Sequence, residues 1–136
     1  MTVKPCIFCD VRPETGFRIA WENKDFIAFH DIAPHGKLHL LVIPRKHYGT
    51  IKDLTSEDTT LLKSMIQHGK ELLTKHGYSP ENSRMGFHRP PFNSQPHLHL
   101  HVVGLPFSSF LHRLAFTSGM PWFADAENVL TKLSKL

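Results

Sequence analysis

The chain has 136 residues, 40% hydrophobic and 21% charged, a composition and length that fit one domain whose core needs no disulfide staples. Its formal net charge of +4 favours anionic ligands, nucleotides among them, but is too mild to mark a nucleic-acid binder. No apolar run approaches a bilayer span and the opening MTVKPCIFCD has no apolar signal region, so a cytoplasmic or nuclear protein with reduced Cys6 and Cys9 is expected.

FRIAWEN (17–23) and DFIAFHD (25–31) are β-branched and aromatic runs, and the polar Asn23-Lys24 between them predicts a hairpin. KLHLLVIP (37–44) reads as a third strand, introduced by Pro34 and Gly36 and stopped by Pro44. Its continuous apolar stretch from Leu40 to Ile43 predicts burial on both faces. Leu61, Leu62, Met65, Ile66, Leu72 and Leu73 recur at helical spacing and predict a helix over 55–75. Thr55 caps that helix, with Asp58 three residues on, and Gly77 stops it. SRMGFH (83–88) is a fourth strand, and the proline-rich RPPFNSQP (89–96) cannot continue it.

A fifth strand is expected over 97–103, then an irregular stretch to Pro121 and a closing helix over 124–133. The order is that of an α+β fold: a five-stranded, mostly antiparallel sheet, one long helix and a C-terminal helix. No domain boundary is visible, so 1–136 reads as a single domain.

QPHLHLHVVGLP, from Gln95 to Pro106, puts His97, His99 and His101 at alternate positions. A strand sends those three to one face and Leu98, Leu100 and Val102 into the core. A merely wet face is poorly served by histidine. Two functional readings stand. Neighbours about 6.6 Å apart along a strand can share a metal, although three in line make a poor tetrahedron. Alternatively, a neutral imidazole is a good nucleophile near pH 7 once its other nitrogen is pinned.

HLHLHVV resembles the signature of the histidine triad superfamily, and CIFC, AFHDIAP and HLLVIPRKH precede it in that family's order. RMGFHRPPFNSQPHLHLHV and the tail PWFADAENVLTKL are most similar to the third branch of histidine triad nucleotide-binding proteins, relatives of the aprataxin catalytic domain. The resemblance implies a HIT-like fold and an adenosine 5'-monophosphoramidase-like hydrolase that forms a nucleotidyl-histidine and releases AMP from phosphoramidates or acyl-adenylates. It implies that His99 attacks the α-phosphorus, with its Nδ1–H on a backbone carbonyl, and that His101 binds a phosphate oxygen while His39 orients the cluster. Ser94 then contacts phosphate or leaving group, with Asn93 a weaker helper and His88 a phosphate-side contact, although a turn serine and a surface histidine would look the same. Asp31 would accept the ribose hydroxyls, Phe29, His30 and Ile32 would line base and sugar, and Phe8 would close the other side. A homodimer is implied as well.

Cys6 and Cys9 form a C-x-x-C, which alone fits half a zinc site, a redox pair or two buried thiols. The resemblance implies a structural, non-catalytic zinc held by Cys6, Cys9, His47 and His97, a standard ligand set. It leaves three competing activities. An aprataxin-like deadenylase of 5'-adenylated DNA is disfavoured by His35 where such sites carry lysine, by sparse helix-borne basic residues, and by the expected lack of a C-terminal zinc finger. A dinucleoside polyphosphate hydrolase would carry glutamine near Ser94, and Gln95 is off register. A nucleotide-binding scaffold conflicts with an intact His99.

Overall fold

The computed structural model describes residues 6–93 and 95–136. Its elements in chain order are β1 (Ile19–Glu22), β2 (Phe26–His30), β3 (Gly36–Pro44), α1 (Thr59–Lys75), β4 (Ser83–His88), β5 (Leu100–Phe107), α2 (Phe110–Ala115), β6 (Phe123–Asp125) and α3 (Ala126–Ser134). The sheet is antiparallel throughout, in the order β1-β2-β3-β5-β4-β6. β3 lies in its middle, and all its residues except Lys37 are buried, as the run from Leu40 to Ile43 predicted.

Period-two alternation sorts the sheet into two faces. Leu40 and Val42 of β3 and Leu100 and Val102 of β5 pack under α1 against Leu62, Met65 and Ile66. Each such fully buried side chain is worth about 1.5–3 kcal/mol. The opposite face carries Ile27, Phe29, Leu41 and Ile43 with Phe8 at one end, and Val103, Phe116 and Phe123 at the other. The histidines emerge between these two patches.

α1 starts later than the periodicity suggests. Thr55 does cap, its Oγ1 accepting from Glu57 N–H and its own N–H donating to Asp58 at 2.9 Å. The turn it caps is a tight one over Ser56–Asp58, and the α-helix proper follows from Thr59. Gly77, at φ 86, ends it.

Three expectations are corrected. β5 begins at Leu100, not His97, because Pro44 opposite has no N–H to extend the ladder. Its carbonyl is instead taken by the His97 ring, 3.0 Å away. β5 also runs on to Phe107, into the stretch read as irregular, which further holds α2, capped by Ser109. A sixth strand, β6, precedes α3, so the sheet is six-stranded rather than five. At three residues β6 is too short to show a period. It borders Gly86 of β4, where a Cβ would sit 2.2 Å from the Phe123 ring, so only glycine lets that ring close over the sheet.

Among the described residues no helix is long and apolar enough to cross a membrane.

Candidate active site and thiol–imidazole cluster

His101 follows Leu100 in β5 and therefore points away from α1. His39 does the same on β3, one register step away, opposite Val103. The two rings meet, His39 Nε2 lying 2.9 Å from His101 Nδ1. His99, just before β5, brings its ring to 5.0 Å from that of His101. His39, His99 and His101 are 2%, 6% and 6% exposed, so the merely wet face is ruled out.

Hydrogen bonds fix where each proton sits. The N–H of His35 donates to His39 Nδ1 at 3.0 Å, so neutral His39 carries its proton on Nε2. That Nε2–H donates to His101 Nδ1, which leaves the His101 proton on its own Nε2. This Nε2 is buried and has no partner among the described residues. An orphaned buried donor costs about 1–3 kcal/mol, which an incoming phosphate oxygen would recover. His99 Nδ1–H donates to the carbonyl of His97 at 2.7 Å, so the His99 lone pair lies on Nε2.

Burial keeps the cluster neutral. It lowers His99, pushes His101 well below the usual histidine value, and lowers His39 to about 4. Asp31, with Oδ2 3.3 Å from His39 Nε2, pulls His39 the other way, and desolvation wins. At neutral pH the trio of His39, His99 and His101 thus offers one free imidazole nitrogen, on His99, beside one free N–H, on His101.

Asp31, at the end of β2, accepts from Ala33 N–H through Oδ1 and keeps its other oxygen at the cluster. The rings of Phe8 and Phe29 lie 5.3 Å apart, and Phe8 stands 5.3 Å from His99, forming an apolar wall. His88 Nε2–H donates to the Ala115 carbonyl at 2.9 Å and its ring stands 4.7 Å from His101. Asn93 donates to the Gln95 carbonyl, and a narrow cleft lined by His88, Asn93, His97 and His99 runs from there to Gly49 and Thr50.

One expected pocket residue stands elsewhere. His30 shares the parity of Phe26 and Ala28, so it faces α1, where burial first and then Arg18 and His76 lower its pKa, and not the triad. Ile32, expected as a pocket wall, is 94% exposed one residue beyond Asp31. Ser94 lies outside the described residues.

Three contributors escaped sequence reading. Phe116, fully buried, packs its ring 5.1–5.5 Å from His35, His39 and His101 and 4.8 Å from His88. It sits in a stretch without periodicity, so no local signal marks it. Phe17 backs the aromatic wall, 4.9 Å from Phe29. His35 acts through its main-chain N–H, which side-chain chemistry cannot reveal.

A second cluster adjoins the first. Cys6 Sγ lies 3.2 Å from His97 Nδ1, and Cys9 Sγ lies 3.3 Å from His47 Nδ1 and 3.5 Å from His97 Nδ1. The two Nδ1 atoms are 3.2 Å apart. A tetrahedral zinc, with bonds of about 2.0–2.1 Å to nitrogen and 2.3 Å to sulfur, sets donor separations of roughly 3.3–3.8 Å, so this donor set fits one. The tautomer fits too: His97 Nε2–H is spent on the Pro44 carbonyl at 3.0 Å, and its Nδ1 lone pair faces the sulfurs. Asp31, His39 and His101 also converge within 4.8 Å. They do not suit a metal, because His39 Nδ1 is an acceptor and its Nε2 must keep the proton.

Residues 5–115 match the family model described as "Scavenger mRNA decapping enzyme C-term binding". The chain is 40% identical to adenosine 5'-monophosphoramidase HINT3 of Xenopus tropicalis over 133 residues, 94% of this chain and 86% of that one. It is 41% identical to the bifunctional adenosine 5'-phosphosulfate phosphorylase/adenylylsulfatase HINT4 of Arabidopsis thaliana, over 96% and 92% of the two chains. A solved HIT family hydrolase from Legionella pneumophila superposes with a TM-score of 0.71 at 32% identity, covering 78% of this chain and 97% of its own.

Proposed function

The chain belongs to the histidine triad superfamily, in its HINT3-like branch, and from that premise we propose that it is an AMP-releasing hydrolase of phosphoramidates, with His99 as nucleophile. One observation carries the assignment: His99 donates Nδ1–H to the His97 carbonyl at 2.7 Å and so presents the Nε2 lone pair. That lone pair forms the bond to the α-phosphorus as the P–N bond breaks, and the leaving amine departs with the electron pair and takes up a proton. Nδ1–H of the now cationic imidazole strengthens its bond to the carbonyl. His101 Nε2–H donates to a non-bridging oxygen, where charge gathers in the transition state. Water then cleaves the P–Nε2 bond, releasing AMP and restoring neutral His99.

Asp31 would accept the ribose hydroxyls and the Phe8–Phe29 wall would hold the base, an apolar site with one convergent polar group. Asn93 and His88, lining the cleft beside His99, suit the phosphate and leaving-group side. Acyl-adenylates fit the same reading, since His99, His101, Asp31 and the Phe8–Phe29 wall all act on the AMP half. The similarity to the Arabidopsis adenylylsulfatase supports a second reading, in which sulfate is the leaving group.

A structural zinc on Cys6, Cys9, His47 and His97 is part of the proposal. When bound it would supply no chemistry, only a clasp between the N-terminal segment and the residues before β5. The donor spacings and the His97 tautomer support it.

The experiment is AMP release from AMP-morpholidate and, in parallel, from adenosine 5'-phosphosulfate. Turnover of the first supports the phosphoramidase. Turnover of the second alone would replace it with the sulfatase reading, and tight AMP binding without turnover of either would sink both.

A further inference from the structure

We infer that Cys6 and Cys9 form an oxidation site whose disulfide switches off His99. The reason lies in the double duty of His97. Its side-chain Nδ1 is held by the two sulfurs, at 3.2 and 3.5 Å, while its main-chain carbonyl holds the Nδ1–H of His99 at 2.7 Å. The ring's other nitrogen stays on the Pro44 carbonyl at 3.0 Å, so loss of the sulfurs leaves the ring free to pivot about that one bond and loosens the acceptor that fixes the tautomer of the nucleophile.

The two sulfurs are placed to react. They sit at the ends of one tight turn, closed by the Cys9 N–H to Cys6 carbonyl bond at 3.1 Å, and the donor atoms of this cluster all lie within 4.8 Å of one another. Cys9 is exposed and Cys6 half-buried, so a small oxidant reaches them. Phe8, between them in sequence, stands 6.2 Å from the His97 ring and 5.3 Å from that of His99, so a changed turn also shifts the pocket wall.

Hydrogen peroxide is the oxidant class. It oxidises the two thiols to one S–S bond and is itself reduced to two waters, taking up both thiol protons. Disulfide sulfurs carry neither S–H protons nor thiolate charge, so they cannot hold the imidazole, and a zinc bound there would leave. The inference rests on the proposed hydrolase activity only for its turnover measurement.

The test uses the full reduced chain, exposed to hydrogen peroxide and then cleared of it with catalase. The chain has only two cysteines, so a monomer lighter by two hydrogens identifies the Cys6–Cys9 disulfide. We expect AMP release from AMP-morpholidate to fall about tenfold or more, as for other partners that orient a functional imidazole. The downfield NMR signal of the His99 Nδ1 proton should vanish in step, and dithiothreitol should restore both. That reversal separates the disulfide from methionine oxidation, which dithiothreitol leaves in place.

Cys9→Ser should show the same turnover before and after peroxide, whatever its starting rate. A complete Cys6–Cys9 disulfide with unchanged proton signal and turnover would overturn the inference, as would thiols that stay reduced or pair only between chains. A chromogenic chelator keeps the zinc proposal separate: switching without released zinc sinks the metal and leaves the switch. If the reduced protein has no turnover, the hydrolase reading fails and the proton signal still decides this one.

Discussion

The carbonyl of His97 and the Nδ1–H of His99 meet at 2.7 Å, and this bond divides the labour of the histidine strand. One ring turns to the cysteines, the next presents Nε2, and His101 presents an N–H. His97 and His101 carry the proton on Nε2 and His99 carries it on Nδ1, and each of the three presents a different group because each has a different partner.

If Nε2 of His99 is the nucleophile, His99→Ala should cut AMP release by about 10³-fold or more, in the range of other nucleophile deletions. Circular dichroism and the melting temperature should stay near wild type, since only one imidazole is lost. Equal turnover by mutant and parent would remove His99 from that role.

His39→Leu tests the proton chain. It removes the donor to His101 Nδ1 and strands the His35 N–H, so a stability loss of about 1–3 kcal/mol is expected. Turnover should fall more than nucleotide affinity, because the His101 proton becomes free to move to the wrong nitrogen. Titration with AMP beside steady-state kinetics separates the two, and a change in affinity alone would contradict the relay.

Acid should weaken the fold before it reaches the carboxylates. Unfolded histidines bind protons near pH 6.5, whereas buried His39 holds out to about 4 and His99 and His101 are lowered as well. Below pH 6.5 the unfolded chain therefore binds more protons, and stability falls as pH drops from 6.5 toward 4. Urea denaturation at constant ionic strength should show this decline, and a flat profile between pH 7 and 5 would count against the neutral cluster. Turnover should survive to below pH 6.5, since His99 stays unprotonated there.

Zinc analysis by mass spectrometry should find about one ion per chain, and strong chelators should lower the melting temperature. A metal-free chain that melts no earlier would remove the clasp.

Phe116→Ala should cost about 3–5 kcal/mol, as for other buried aromatic truncations. Its ring supports His39, His88 and His101 at once, so turnover should fall also in conditions where the variant is fully folded. Unchanged kcat in the folded variant would limit Phe116 to packing.

Much of the molecule is legible in its sequence. Alternation in HLHLHVV foretells which residues enter the core, and Leu98, Leu100 and Val102 are buried under α1. The α1 stripe, the β4 boundaries and the cap at Thr55 follow from the 3.6-residue period and from turn chemistry. These are local properties, set by residues within a few positions of one another.

What the sequence leaves open depends on residues distant along the chain. The start of β5 is set by Pro44, 56 positions before Leu100, and β6 exists only because β4 offers it an edge. The face of His30 depends on which side of the sheet α1 covers. The motif names the histidines, but not which nitrogen of each is free. That choice belongs to a backbone N–H at His35, the ring of His39, and carbonyls at Pro44 and His97. A side chain's identity is written locally, whereas its proton position and its pKa are decided by the groups that the fold brings against it.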